Sequence, residues 1–267
     1  MQASTVTAHA VGGPTLLLEY AGLRLLTDPA FDPPGEYPRE PHESLRKTAG
    51  PAMSPDEVGD VDAVLLSHDH HADNLDGAGR AFLPRAATVI TTALGAQRLG
   101  GNATGLEPWQ STQLHTPDAG SITVTAVPAQ HGPDGTDHLT GPVIGFALHG
   151  EGLPSLYVSG DNASLAVVQA IADRLGRFDV AVLFAGGAWV PPISDYVTLT
   201  AERAADAARI LGVRAAIPNH FDGWAHFTDG FEELEAAFAR AGLADRLLPA
   251  VPGATVQVEL DEAESGR

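Results

Sequence analysis

The sequence predicts a mixed α/β fold in which strand-rich and helical stretches alternate twice along the chain. Three observations carry that prediction. Short runs of β-branched and leucine side chains, such as Val61 to Ser67 and Val180 to Phe184, have the length and content of buried strands. Between such runs stand stretches with helix-start and helix-stop chemistry. Thr200 to Leu211 opens on a Thr cap, holds Glu202 and an alanine-rich interior, and stops at Gly212. The 267 residues are 44% hydrophobic and only 18% charged, which supplies a sizeable core and does not suit a disordered chain.

Taken in order, Val6 to Tyr20 and Leu23 to Thr27 are expected to form an early hairpin joined at Ala21-Gly22 and ended by Asp28-Pro29. Phe31 to Pro55 is rich in Pro and Gly without sustained periodicity. It is expected as a long functional loop in which Tyr37 reaches a pocket. Ser54-Pro55-Asp56-Glu57-Val58 combines a Ser cap, a first-turn Pro and an acidic start, the signature of a short helix. Thr88 to Thr91 reads as a strand, and Ala93 to Leu99 as a helix closed by Gly100-Gly101. In the second half, Val143 to Leu148 is a strand followed by a turn at His149-Gly150-Glu151-Gly152. Ala163 to Leu175 is an amphipathic helix, and Phe231 to Ala241 a helix ended by Gly242. No interdomain linker and no repeat of solenoid length interrupts this, so residues 1–260 are expected to be a single domain. Asp261 to Arg267 has too little apolar content to pack and is expected to be a disordered tail.

Charge and composition exclude several function classes. The formal net charge is −19 and Lys47 is the only lysine, so the chain offers no basic track and repels phosphate backbones. Nucleic acid is not expected as a partner. No apolar stretch is long enough to span a bilayer, and the N-terminus lacks the basic and apolar regions of a signal peptide, so no membrane partner is expected either. Cysteine is absent, which removes disulfides, thiolate ligands and thiol nucleophiles together and fits a cytoplasmic location.

The chemistry concentrates in His68-Asp69-His70-His71-Ala72-Asp73-Asn74, which sets three imidazoles and two carboxylates into seven residues directly after an apolar strand. A tight loop at a strand end turns several side chains to one point. Neutral nitrogen and anionic oxygen donors together suit a borderline cation such as zinc, at about 2.0–2.2 Å. Three further strand-like runs end on candidate ligands. Ser121 to Gln130 leads to His131, Leu156 to Gly160 leads to Asp161, and Val213 to Asn219 leads to His220. A lone His after a strand is usually structural. Four such positions in one chain point to a shared metal centre.

On these residues the chain resembles the metallo-β-lactamase-fold hydrolases, and among them the ascorbate-6-phosphate-lactonase-like branch. The resemblance runs from Gly12-Gly13-Pro14-Thr15-Leu16-Leu17-Leu18-Glu19 and Leu26-Thr27-Asp28-Pro29 through Leu66-Ser67-His68-Asp69-His70. It continues in Ala129-Gln130-His131, Ser159-Gly160-Asp161 and Pro218-Asn219-His220. It implies an α/β (α+β) fold built as a four-layer αββα sandwich, a metal site at one edge, and hydrolysis by a metal-bound hydroxide. One departure matters. The superfamily pattern is His-x-His-x-Asp-His, and here Asp73 falls one residue late and Asn74 stands where the last imidazole belongs. Read from the left, His68 and His70 are the pair and Asp73 replaces the last His. Read from the right, His71-Ala72-Asp73-Asn74 matches the second half after a one-residue insertion. The second register keeps a carboxylate where the pattern needs it and is preferred for Asp73, while the choice between His70 and His71 stays open. Asn74, a neutral and weakly basic donor, implies a weak or empty second site.

The roles that follow are expectations. His68, one or both of His70 and His71, and His131 hold a first metal; Asp161 resembles the bridging carboxylate; Asp73 and His220 hold a second. Asp73 also orients the hydroxide and accepts its proton. His226, in the loop after His220, donates a proton to the leaving group, binds substrate, or packs on Trp224. Asp28 is expected to brace the site loop, His9 to support the ligands from behind or to be structural and not to ligate, and His42, His115, His138 and His149 to be surface or loop residues. Trp189, Pro191 and Tyr196 are candidates for a pocket wall. The cofactor is one or two divalent metal ions, zinc first, with manganese and iron suiting the same donors. The function expected is metal-dependent hydrolysis of a small-molecule ester, lactone, amide or phosphodiester. The alternatives are a redox or non-hydrolytic tailoring activity on the same fold, or a metal-poor binding protein. Nothing in the sequence fixes an oligomeric state.

Overall fold

The computed structural model describes residues 4–39 and 43–260. His42 and the tail expected over 261–267 lie outside the described residues. Two sheets carry the architecture. The first runs, in spatial order, Thr255–Leu260, Ser4–Gly12, Thr15–Tyr20, Leu23–Thr27, Val61–Leu65, Ala86–Thr92 and Ala103–Leu106. The second runs Ala215–Asn219, Val180–Phe184, Leu156–Val158, Ile144–His149, Ser121–Pro128 and Ser111–His115.

Side-chain alternation explains how the layers stack. Along Val180–Phe184, Val180, Val182 and Phe184 enter the core shared by the two sheets, while Ala181 and Leu183 enter a core under helices. The shared core joins Leu16, Leu18 and Leu25 of the first sheet to Ile122, Val124 and Phe146 of the second. Outside the second sheet, the helices Leu165–Leu175, Ala201–Leu211 and Phe231–Arg240 bury Val168, Ala204 and Phe238 against it. Outside the first, the short helices Pro55–Val58 and Gly77–Phe82 bury Val58 and Phe82 against Val64 and Val89. The order of layers is helix, sheet, sheet, helix, as expected. No helix among the described residues is long and apolar enough to cross a membrane.

Most expected elements stand where local chemistry put them. Ser54 caps Pro55–Val58 in a full capping box with Glu57. Thr200 caps Ala201–Leu211, and Gly212 follows it in the left-handed conformation. Ala21 and Gly22 turn the early hairpin with φ of 52° and 76°, the positive pair that matches strand twist. Two expectations are corrected. Val6 to Tyr20 is two strands, reversed at Gly13-Pro14, where Gly12 and Gly13 have φ of 123° and 58°. The stretch Phe31 to Pro55 holds a separate hairpin, Gly35–Arg39 with Glu43–Lys47. The Thr255–Leu260 strand pairs antiparallel with Ser4–Gly12 and so joins the end of the described chain to its start.

Lys47 fastens that hairpin to the body. Its Nζ donates to Ala30 O at 3.0 Å and lies 3.2 Å from Asp76 Oδ2, with both side chains buried. Asp76 also accepts from the backbone N–H of Phe31, Asp32 and Gly79. Lys47 further pairs through its backbone with Trp224, in the loop after His220, and its ammonium sits 5.4 Å from that indole. Lys47→Met is therefore expected to lower stability by about 3 kcal/mol, the low end for breaking a buried pair because three N–H donors still serve Asp76. Urea unfolding checks this; a change under about 1 kcal/mol would show that the pair contributes little.

Candidate metal centre

Strand direction gathers the candidate ligands at one edge. Leu156–Val158, Val180–Phe184 and Ala215–Asn219 are parallel, and Ser121–Pro128 shares their direction through two antiparallel steps. The residues just past three of these strands, His131, Asp161 and His220, therefore fall together. In the other sheet, Leu23–Thr27 and Val61–Leu65 are parallel, which places Asp28 beside the histidine loop. The Ile144 N–H donates to Ser67 O at 3.1 Å and ties the sheets at this edge. Gly160 makes the approach feasible. Its φ is 54°, and a Cβ there would lie 2.6 Å from Ile144 O and 2.9 Å from Ser67 Cβ.

Three imidazole nitrogens converge. His68 Nε2 is 2.9 Å from His71 Nδ1, which is 3.3 Å from His131 Nε2. Each outer ring has its tautomer set from behind. Ser67 Oγ donates to Asp28 Oδ1 at 2.7 Å, so it accepts from His68 Nδ1 at 2.9 Å and leaves Nε2 bare. His131 Nδ1 donates to Val197 O at 2.7 Å, because a carbonyl can only accept, so the neutral ring carries its lone pair on Nε2. Burial, and then the neighbouring His71, His70 and His131, holds His68 well below the usual imidazole range and so neutral. Asp28 braces the loop as expected. Burial pushes its carboxyl up to about 8, against the two Ser67 hydrogen bonds. Asp161 Oδ2 lies 3.6 Å from His131 Nε2 and completes this set.

The other oxygen of Asp161 faces a second set. Its Oδ1 is 3.5 Å from His220 Nε2, which is 3.7 Å from Asp73 Oδ2, and that oxygen is 3.2 Å from His226 Nε2. His220 is held with φ of 53°, a strained value for a residue with a side chain. Its N–H donates to Gly13 O at 2.8 Å, while Asn219 Nδ2 donates to Pro14 O at 2.7 Å. Burial lowers His220 to about 3, despite Asp73, so it is a neutral donor. Burial, the largest single influence, pushes Asp73 up, but the His226 hydrogen bond and the neighbouring His226, His220 and His71 together outweigh it and hold the carboxyl well below its usual range.

The remaining candidates are placed differently. His70 stands close enough to group with His68 and His71, yet its Nε2 lies 2.6 Å from Thr140 O and so donates there. Asn74 Nδ2 donates to Asp161 Oδ1 at 3.2 Å, where an imidazole would have offered a lone pair. Asp69 is clamped by Arg98, with Nε 2.9 Å from Oδ2 and a second contact to Oδ1, and stands outside the Asp73, Asp161 and His220 group. His9 bonds Thr255 within the first sheet, and His115 and His138 are exposed. His149 is corrected from a surface residue to a half-buried strand end packed on Phe178.

The recess at the centre is lined by Leu45, Ala188, Val190 and Val197 opposite His71, Asp73, His131 and His226. Trp189 points outward at 39% exposure while Val190 points in at 3%, so the expected aromatic wall is an aliphatic one. Tyr196 and Tyr37 line no part of this recess. Strand alternation through Trp189–Val190 was the signal for the inward valine; Leu45 had none, since its hairpin read as loop. A larger open cleft of about 840 Å³, with His115, Asp118, His149 and Glu151 in its lining, lies at the opposite edge of the sheets, away from the converging donors.

The donor set fits a divalent cation. Bonds of about 2.0–2.2 Å in tetrahedral geometry separate ligand atoms by roughly 3.3–3.6 Å, close to the spacings in both sets. Asp73 Oδ1 and both ring nitrogens of His220 are buried without a hydrogen-bond partner, which is rare for polar atoms and is remedied at Nε2 by a cation.

Comparison with known proteins bears on the family and the fold. The profile of the beta-lactamase superfamily domain matches residues 23–221. A UPF0173 metal-dependent hydrolase of Opitutus terrae is 31% identical over 264 residues, 92% of this chain and 97% of that one. Among solved structures, the isothiocyanate hydrolase from Delia radicum gut bacteria is similar with a TM-score of 0.79. It is 22% identical and covers 96% of this chain and 100% of its own. Igni18, a metallo hydrolase of Ignicoccus hospitalis, is similar with a TM-score of 0.71. It is 22% identical over 97% of this chain and 100% of its own. At such identities the structural likeness speaks for the fold alone.

Proposed function

The chain belongs to the beta-lactamase superfamily and is a metal-dependent hydrolase, and on that premise we propose that it cleaves a small-molecule ester, lactone, amide or phosphodiester at a two-part centre. His68, His71, His131 and Asp161 would hold one cation, with His71 taken over His70 because His70 is turned to Thr140. Asp161, Asp73 and His220 would hold the other, more weakly because Asn74 offers no imidazole. Zinc is the cation proposed first, with manganese or iron as substitutes. The placement of Asp161 carries the proposal: its two oxygens face two separate donor sets, as a bridging ligand must.

A bound cation supplies water acidified from a pKa of about 15.7 to about 7 and polarises the scissile carbonyl or phosphoryl oxygen. The protein's residues do the rest. Asp73, kept ionised, orients the attacking water and takes up its proton transiently. His226 holds a proton on Nε2 against Asp73 Oδ2, since a carboxylate only accepts, and would relay to the leaving group the proton that Asp73 takes from the water, so that His226 ends the step as it began. Asp28 and Ser67 hold His68 in register from behind. Within the superfamily we place the chain in the lactonase-like branch, on the motifs it shares. Residues 1–260 are proposed to act as one domain, because the last described strand pairs with the first. The cysteine-free chain suits the cytoplasm we propose for it.

The test is elemental analysis of protein purified without added metal, followed by turnover assays on lactones, esters and phosphodiesters. Bound divalent metal with hydrolysis that chelation abolishes is expected. Metal-free protein that neither binds zinc nor turns over any of the three would overturn the reading.

A further inference from the structure

His220 is held differently from the imidazoles of the first donor set. His68 Nδ1 meets Ser67 Oγ and His131 Nδ1 meets Val197 O, and those bonds fix how both rings point. Neither ring nitrogen of His220 has a hydrogen-bond partner among the described residues, although the side chain is fully buried. Phe184 and Phe227 flank the ring with centroids 5.2 Å and 4.8 Å away, which confines it without giving its nitrogens a direction. Direction is left to the backbone, and that backbone is in an unfavourable state. The strand Ala215–Asn219 is extended, and His220 breaks it at φ of 53°, in the left-handed region that a Cβ disfavours. Past the break the imidazole faces Asp73 and Asp161. A residue stays in such a conformation only where its surroundings over-determine it. One turn supplies the grip from both sides. Asn219 Nδ2 donates to Pro14 O at 2.7 Å, His220 N–H donates to Gly13 O at 2.8 Å, and Asp222 Oδ1 accepts from Gly13 N–H at 2.7 Å. The turn is itself fixed: Thr27 Oγ1 also donates to Pro14 O, and a Cβ on Gly13 would lie 3.3 Å from Trp224 Nε1.

Resting on the two-part centre proposed above, we infer that Asn219 and Asp222 are positioning residues for His220, which through the Gly13-Pro14 turn keep the weaker half of the centre assembled before a cation arrives. Neither belongs to the groups of converging donors. Asn219 is buried with its amide spent on Pro14 O, and Asp222 reaches back to the turn from two residues beyond His220. Without either bond, His220 relaxes toward the extended backbone that its strand favours, and the ring leaves Asp73 and Asp161. The cost falls on the second cation, because His68, His71, His131 and Asp161 leave from other strands.

Zinc calorimetry on the metal-free full chain separates positioning from general stability, with the first zinc step as the internal control. Asp222→Ala and Asn219→Leu, which keeps the shape of the amide without its donor, are each expected to weaken the second step at least about tenfold, the usual scale for a residue behind a ligand. Both are expected to leave the first step within about twofold of the unaltered protein, against that same scale. Asp222→Asn keeps an acceptor oxygen for Gly13 N–H and is expected to retain the second step. A second step that either disabling variant leaves unmoved shows that Phe184 and Phe227 suffice to place the ring, and overturns the inference. Weakening of both steps alike, or failure of these variants to fold, makes the two residues supports of the whole fold and overturns it as well. So does a loss in Asp222→Asn equal to that in Asp222→Ala, which would trace the effect to charge and not to the hydrogen bond. These outcomes leave the two-part centre intact. A single zinc step, or none, in the unaltered protein removes that centre and this inference with it.

Discussion

Asp161→Ala is expected to strip metal from both halves of the centre and to cost at least about 1,000-fold in turnover. Asp161 is fully buried, its two oxygens 3.6 Å from His131 Nε2 and 3.5 Å from His220 Nε2. Losing even a residue behind a ligand typically costs 10–100-fold in metal affinity or activity, and a shared ligand serves two sites at once. The loss should appear in elemental analysis as well as in rate, with the circular dichroism spectrum unchanged, because the strand bearing Leu156–Val158 is held by its own sheet partners. A variant that keeps its metal and most of its rate would remove Asp161 from the centre.

Asp73→Ala is expected to lower metal content and rate together, whereas Asp69→Ala leaves metal content unchanged. The two carboxylates are four residues apart but do different work. Asp73 Oδ2 meets His220 and His226, while the Asp69 carboxylate is spent on Arg98, and its loss frees a partly exposed guanidinium. His226→Gln separates proton transfer from metal binding. It should retain metal and lose about 100-fold in kcat, the usual scale for one positioned acid or base. The readouts are metal per chain and kcat measured separately from KM. Severe loss from Asp69→Ala alongside a silent Asp73→Ala would show that the other carboxylate carries the chemistry.

Most of the centre was legible in the sequence because its donors follow strands. An apolar run ending on His131, Asp161 or His220 reports both the strand and the place where a side chain leaves it. Where the His70 ring turns was not legible, since it meets a carbonyl at Thr140, seventy residues away in sequence. The hairpin at Gly35–Arg39 and Glu43–Lys47 escaped for a similar reason. Pro38 and the surrounding Pro and Gly conceal strand character, and its placement depends on Lys47 meeting Asp76 and Trp224. The final strand, Thr255–Leu260, carries alternation in Val256 and Val258, both buried, but too briefly to stand out from a tail. Helix limits were legible where caps are chemical, as at Ser54, Thr200 and Gly212.

Zinc titration of the metal-free protein by calorimetry tests the two-part centre most directly. The expected result is one zinc bound tightly by His68, His71, His131 and Asp161, and a second bound roughly 10–100-fold more weakly beside Asn74. Asn74→His should tighten the second step alone, and His68→Ala should abolish the first. No tight zinc in the unaltered protein, or a first step that survives His68→Ala, would contradict the assignment of these residues to a metal centre.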